Sequence, residues 1–271
     1  MNEYSTYILL DTAMMADFEL KPWIKGKRRA RWILPIYERP AWEVSPGIID
    51  IEAAYKSNRI NMIVEMLNCV RPQLHASFID TTMNMEDLAE HLRKFIGVDT
   101  EDGKELTLRI ADCVVLPWLH QAMTPEQWAA FQEPIHRWGV HGRDGVVTVL
   151  PQSVAKPSPE PLRFSPAQIS ALEQAHEPDQ LLFNLRAMRY GHKWAESLQQ
   201  ELKFATDTLR AWKTSKHTDT STLLLFARGV FDTKGALLEL PALRSILDQD
   251  DLALVRKDIQ NMLAANSGGR P

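Results

Sequence analysis

The sequence predicts an α+β protein in two parts, a mixed lobe with a small sheet over residues 1–150 and an all-helical lobe over 164–271. Three observations carry this. Short apolar blocks and alternating patterns suited to strands occur only in the first half. Four prolines (Pro151, Pro157, Pro159, Pro161) then crowd one stretch, which can neither pair in a sheet nor continue a helix. Beyond them the apolar residues recur at three and four positions, the period of a helix. Residues 151–163 are therefore expected to form an extended linker.

Tyr7–Leu10 is a buried strand ending at Asp11. A short helix over Ala13–Phe18 and a second strand over Trp32–Tyr37, closed by Pro40, follow. Order resumes at Ile48–Ala54. Ser57–Asn68 reads as a helix, with Ile60, Ile63, Val64 and Leu67 in phase and Pro72 beyond it. Ala76–Ile79 is a short strand, and Asp80 or Thr81 is expected to cap the next helix. The stretch His91–Leu119 organises this lobe. A helix over Glu86–Ile96 is expected to stop at Gly97. Asp102-Gly103 then makes a tight turn, and a strand alternates Leu106, Leu108 and Ile110 up to Asp112, with Pro117 opening another helix. Thr124-Pro125-Glu126-Gln127 has the form of a capping box with proline at the first helical position. Trp128, Phe131, Ile135 and Trp138 give that region a bulky apolar side, and Val146–Leu150 is the last strand before the prolines.

In the second lobe, Ser165-Pro166 starts a helix through His176, and Asp179–Arg189 is helical. Gly191 interrupts before a longer helix over Trp194–Trp212. Thr222–Ala227 is a helix closing at Gly229, and Ala242–Leu247 and Asp251–Ala265 complete the lobe. Leu223–Phe226, Phe231, Leu237, Leu238 and Leu240 exceed what the lobe's short helices need for their own core. Part of this excess is expected to line a groove for an apolar helix of a partner. The candidate binding residues are Leu224, Leu225, Phe226 and Phe231, with Trp194 and Trp212 as rims on one helix face.

Thirty-one basic residues against thirty-five acidic ones give a net charge of −4, too near neutral for nucleic-acid binding by bulk charge. Lys21, Lys25, Lys27, Arg28, Arg29 and Arg31 are clustered, with Trp23 and Trp32 interleaved. This cluster reads as a solvated connection whose tryptophans pack on the lobe, in preference to a phosphate or nucleic-acid surface. Cys69 and Cys113 lack ligand-like spacing and are expected to be reduced thiols. The chain shows no leader pattern and no apolar run long enough for a membrane span, so a cytoplasmic location is expected.

No HExxH, GxSxG, phosphate-binding loop or GxGxxG is present, and no cofactor or metal is expected. His136 and His141, if helical, would point about 140° apart. Asp11 and Asp112 both end strands. They are either an acid pair or structural groups that cap neighbouring turns and pair with Arg93 or Arg109; with no third catalytic group evident, the structural role is preferred. Cys113 has no histidine tied to it by any motif.

Three groups of residues in order resemble a known family. The first is Tyr7, Leu9, Leu10, Asp11, Thr12 and Ala13; the second is His91, Leu92, Arg93, Gly103, Arg109 and Asp112; the third is Met123, Thr124, Gln127, Pro134 and Trp138. Together they resemble the adaptor, or effector-chaperone, proteins of bacterial type VI secretion, over about residues 4–140. Ala111 stands where that family usually has an aromatic residue, and Cys113-Val114 where it has proline and a polar residue. The resemblance implies a non-catalytic loader that binds a toxic effector and helps place it on the spike-tip protein of the secretion machine. Asp11, Arg93, Arg109, Asp112 and Trp138 would then be its structural signature. An immunity-type binding module and a small hydrolase using Asp11 and Asp112 are the alternatives.

Overall fold

The computed structural model describes residues 4–15, 30–37, 44–188 and 197–267. The chain is α+β and divides into two compact units, Met1–Leu172 and Glu173–Pro271.

A six-stranded antiparallel sheet organises the first unit. Its strands are β1 (Ser5–Leu10), β2 (Ile33–Pro35), β3 (Gly47–Asp50), β4 (Ala76–Thr81), β7 (Ile135–His141) and β8 (Val147–Val149). They lie in the order β2-β3-β1-β4-β7-β8. Both faces of β1 are buried, which is why Tyr7–Leu10 reads as a continuous apolar run. On one face Ile8, Leu10, Ile33, Ile49 and Ala76 pack with Ala54 of helix α1 (Ile51–Lys56) and with Ile63 and Met66 of α2 (Ile60–Asn68). The opposite face carries Trp138, whose ring lies 5.2 Å from Phe131. Phe131 belongs to α5 (Pro125–Gln132) and also meets Phe95 just beyond α3 (Met85–Arg93). A smaller sheet joins β5 (Gly97–Thr100) to β6 (Glu105–Thr107) and to β9 (Arg163–Phe164).

The Asp102-Gly103 turn lies between β5 and β6, with Gly103 at φ +79°. The capping box at α5 is complete in both directions between Thr124 and Gln127. Several expectations require correction. Asn84, not Asp80 or Thr81, caps α3, because the sheet uses the other two: Asp80 accepts from Thr6 and Thr81 donates to the Pro134 carbonyl. Gly97 opens β5 instead of capping α3, whose last turns tighten through Phe95 N–H to Leu92 O and Ile96 N–H to Arg93 O. Leu108 and Ile110 are buried but lie beyond β6, on the approach to α4 (Val115–Ala122). Ile135 and Trp138 do not continue α5. Helix α5 ends at Gln132, just before Pro134, and both residues lie in β7 paired to β4. A short 3-10 turn, Thr12–Met14, stands where a helix over Ala13–Phe18 was expected; residues 16–18 lie outside the described residues, as does most of the basic cluster. Of that cluster, Arg31 is exposed and Trp32 buried.

The proline-rich segment is extended and lies within the first unit, and several of its groups bond to the rest of that unit. Trp128 Nε1–H donates to the Pro151 carbonyl (2.9 Å), Ser153 to Pro125 O (2.8 Å) and Ser158 N–H to Glu126 O (3.1 Å).

The second unit is helical: most of α6 (Pro166–Ala187), then α7 (Leu198–Lys213), α8 (Thr220–Asp232), α9 (Ala242–Leu247) and α10 (Leu252–Ser267). Helix α6 runs through Pro178 without stopping at His176. Likewise α8 does not close at Gly229. A Cβ at that position would come within 2.6 Å of Leu263 and 2.8 Å of Leu237, so this glycine permits close packing. The expected interruption at Gly191 lies outside the described residues.

Candidate functional site

Asp11 and the Asp112-Cys113 pair meet at the start of β4, with the end of β7 beside them. The Asp11 N–H donates to His75 O (2.7 Å), and the Cys113 N–H donates to Leu74 O (3.0 Å). The Cys113 thiol donates to Ala76 O (3.1 Å), a carbonyl that also lies 2.8 Å from His141 Nδ1. Leu74, His75 and Ala76, at the entrance to the inner strand β4, thus hold the end of β1, the start of α4 and the end of β7.

Asp11 and Asp112 stand beside this segment, both buried. Each caps a turn. Asp11 accepts from Ala13 N–H (3.0 Å), and Asp112 accepts from Val114 N–H (2.9 Å). One guanidinium nitrogen of Arg109 reaches both carboxylates, at 2.7 Å from Asp11 and 3.4 Å from Asp112. Arg109 is therefore a brace across 98 residues of chain, with its side chain 52% exposed. Burial pushes the Asp112 carboxyl above its ordinary value, opposed by the Val114 hydrogen bond and by the charge of Arg109. Burial and then the Asp11 charge raise the Tyr37 phenol, so Tyr37 is the fourth polar neighbour. The sequence held no cue for it.

Arg93 does not join the cluster, contrary to expectation. Its Nε donates to Ile36 O (2.8 Å) and it pairs with Glu90, so it ties α3 to the chain after β2. Trp138 is fully buried, and its indole N–H donates to Ser77 (3.0 Å). Burial pushes the Cys113 thiol up to about 12, so at neutral pH it is a protonated donor and not a thiolate nucleophile. His136 and His141 sit on β7 and not on a helix. His136 is exposed and stacks on Tyr4 (4.2 Å), while His141 is buried. Among the described residues no group of three or more His, Cys, Asp or Glu side chains is placed to hold a metal ion. Among them also, no helix is long and apolar enough to cross a membrane.

The first unit also holds a pocket of about 380 Å³ between α3, α5 and the proline-rich segment. Phe95, Ala130, Pro159, Pro161 and Leu162 supply its apolar walls, and Lys94, Glu133 and Glu160 bring charge. His91 on the same wall bonds to Phe131 O (2.8 Å) through Nε2. Burial lowers its pKa, so it is neutral at pH 7. Nothing in the sequence marked this pocket, because its walls come from segments far apart in the chain.

The candidate binding residues of the second unit are mostly interior. Trp212, Phe226 and Phe231 are at most 5% exposed. Trp212 packs 6.4 Å from Phe226, and Phe231 meets Phe204 edge-on at 5.6 Å. Leu224 and Leu225 are half-buried against the same core. The expected groove rim at Trp212 is therefore corrected to a core position, since α7 turns that face onto α8. Trp194 lies outside the described residues.

A family model described as a domain of unknown function, DUF4123, matches residues 6–130, just under half of the chain. The match spans the Asp11–Arg109–Asp112 brace and most of the pocket-forming helices. No curated protein matches the chain, and no solved structure matches it.

Proposed function

We propose that the chain is a non-catalytic adaptor of bacterial type VI secretion. It binds a toxic effector in the cytoplasm of the producing cell and helps load it onto the spike-tip protein. The observation that carries this reading is the brace at the signature residues. Asp11 and Asp112 are engaged in capping turns and pairing with Arg109, which suits groups that fix a surface for a partner. The signature itself, read with the matched family model over residues 6–130, supports the choice of family. The pocket walled by Phe95, Ala130 and the prolines offers an apolar recess with a charged rim, the usual form of a site that receives a side chain of another protein.

The test is co-expression with the products of the adjacent genes, which the adaptor reading expects to include an effector and a spike-tip protein. The adaptor reading expects the chain to co-purify with both, and expects effector export to stop when the chain is deleted. Ala130→Arg, which fills the pocket with a charge, should lower effector recovery at unchanged thermal stability. Rescue of toxin-expressing cells without any effect on export would instead identify an immunity protein. A hydrolytic activity lost in Asp112→Asn would overturn the non-catalytic assignment.

A further inference from the structure

The two edges of the six-stranded sheet differ in a way that points to a binding surface. In the β2–β3 ladder Ile36 N–H bonds to Pro46 O and Asp50 N–H to Trp32 O. With the register Leu34↔Ile48, Ile33 and Pro35 are the residues whose backbone faces outward. Pro35 has no N–H there, one of the ordinary ways an edge is blocked.

The other edge, a strand of three residues, carries no proline. Leu150 N–H bonds to Trp138 O, Gly142 N–H to Val146 O, and Val140 stands opposite Thr148. The backbone groups of Val147 and Val149 therefore face away from β7. The two residues are 43% and 49% exposed, and among the described residues no strand pairs outside β8. No charge, proline or bulge interrupts the run Val146–Leu150.

We infer that β8 pairs with β8 of a second copy, antiparallel about a two-fold axis through Thr148. Self-complementarity selects this occupant. With Thr148 opposite its own copy, Val147 faces Val149 of the second copy, and each pair exchanges both N–H···O=C bonds, bringing β-branched side chains together. The flanks end the ladder symmetrically. The Gly145 N–H is already spent on Gly142 O (2.9 Å), and its opposite number, Pro151, has no N–H. Residues 146–150 carry no charge, so the two strands meet without repulsion. A ladder this short gives a weak, concentration-dependent dimer, well below the area of a permanent one.

Sedimentation of the full chain over a wide concentration range should show a mass that rises from monomer to dimer. Val147→Pro and, separately, Val149→Lys should hold it at monomer. The first removes an N–H that makes no bond within the sheet, at an edge position where proline is tolerated, so circular dichroism should be unchanged. Thr148→Cys in a Cys69→Ser background gives a geometric readout. A non-hydrogen-bonded antiparallel pair places the Cα atoms about 4.5 Å apart, within disulfide range, so mild oxidation should produce a covalent dimer. Val146→Cys in the same background faces Leu150 of the second copy and should cross-link far more slowly. A monomer at every concentration, equal cross-linking of the two cysteine variants, or a dimer that survives Val147→Pro and Val149→Lys would overturn the inference.

Discussion

Replacing Arg109 by glutamine tests the brace directly. Asp11 and Asp112 are only 5% and 7% exposed, and one guanidinium nitrogen serves both. Removing it leaves two buried carboxylates with their capping bonds and only the charge of Arg143 acting on Asp112. Breaking a fully buried ion pair costs about 3–5 kcal/mol. Arg109 is half in solvent, and screening reduces that to roughly 2–3 kcal/mol. For a unit of this size each kcal/mol moves Tm by about 2–4 °C, so a fall of roughly 4–12 °C is expected in the first-unit transition.

The loss should also depend on pH in a defined sense. The Asp112 carboxyl titrates above its ordinary 3.8 because burial outweighs Arg109 and the Val114 bond. Where the folded pKa is raised, the folded state binds more protons than the unfolded one, and stability falls as pH rises through that window. Without Arg109 the pKa rises further and the window widens upward. The deficit of Arg109→Gln relative to the wild type should therefore be greatest at neutral pH and shrink on acidification toward 3.8. Calorimetry at a series of pH values reads both effects. A Tm within about 1 °C of the wild type, or a deficit that is flat with pH, would refute the brace as the stabilising element.

Three further outcomes follow from the packing. His75 and His91 both have pKa values lowered from 6.5, chiefly by burial. Their unfolded forms thus take up protons first, and stability should fall as pH drops below 6.5, with His91→Gln flattening that slope in an acid titration of the melting temperature. Thiol labelling of the folded chain at mildly alkaline pH should modify the accessible Cys69 rapidly and leave Cys113, whose thiol sits at about 12, unmodified until denaturant is added; equal rates would contradict its burial. Phe226→Ala, at a site with no exposure, should cost about 3–5 kcal/mol, and Gly229→Val about 1–3 kcal/mol through its clash with Leu263 and Leu237. Denaturant unfolding of the second unit measures both.

Sequence reasoning reached those features whose cause is local. The tight turn at Gly103, the capping box at Thr124 and Gln127, and helix α9 each depend on residues within a few positions of one another. It failed where two periods coincide. Trp128, Phe131, Ile135 and Trp138 fall at helical spacing, yet Pro134 and the pairing of β7 with β4 divide them between a helix and a strand. The brace was half legible: its three charged members were named, but Arg93 was grouped with them because sequence order cannot tell which arginine returns to the end of β1. That choice is made by the chain after β6, which carries Arg109 to Asp11, while α3 turns Arg93 toward Ile36.

The helical unit shows the same limit in its energetic form. Four consecutive apolar residues, Leu223–Phe226, point all round a helix, and in isolation half of them would need an outside partner. Helix α8 meets that need internally. Phe226 and Val230 face the core while Leu223, Leu224 and Leu225 pack on its margin. Gly229 lets Leu237 and Leu263 close over the helix where a larger residue would hold them off. An apolar surplus counted along the sequence thus became interior once a glycine removed the spacing between neighbours. Exposed apolar side chains remain in both units, among them Phe183 and Leu254 in the helical one and Val147 and Val149 on β8, a strand too short for periodicity to register. There the signal is the absence of any blocking residue at the outward positions, which becomes visible only when the register to β7 is known.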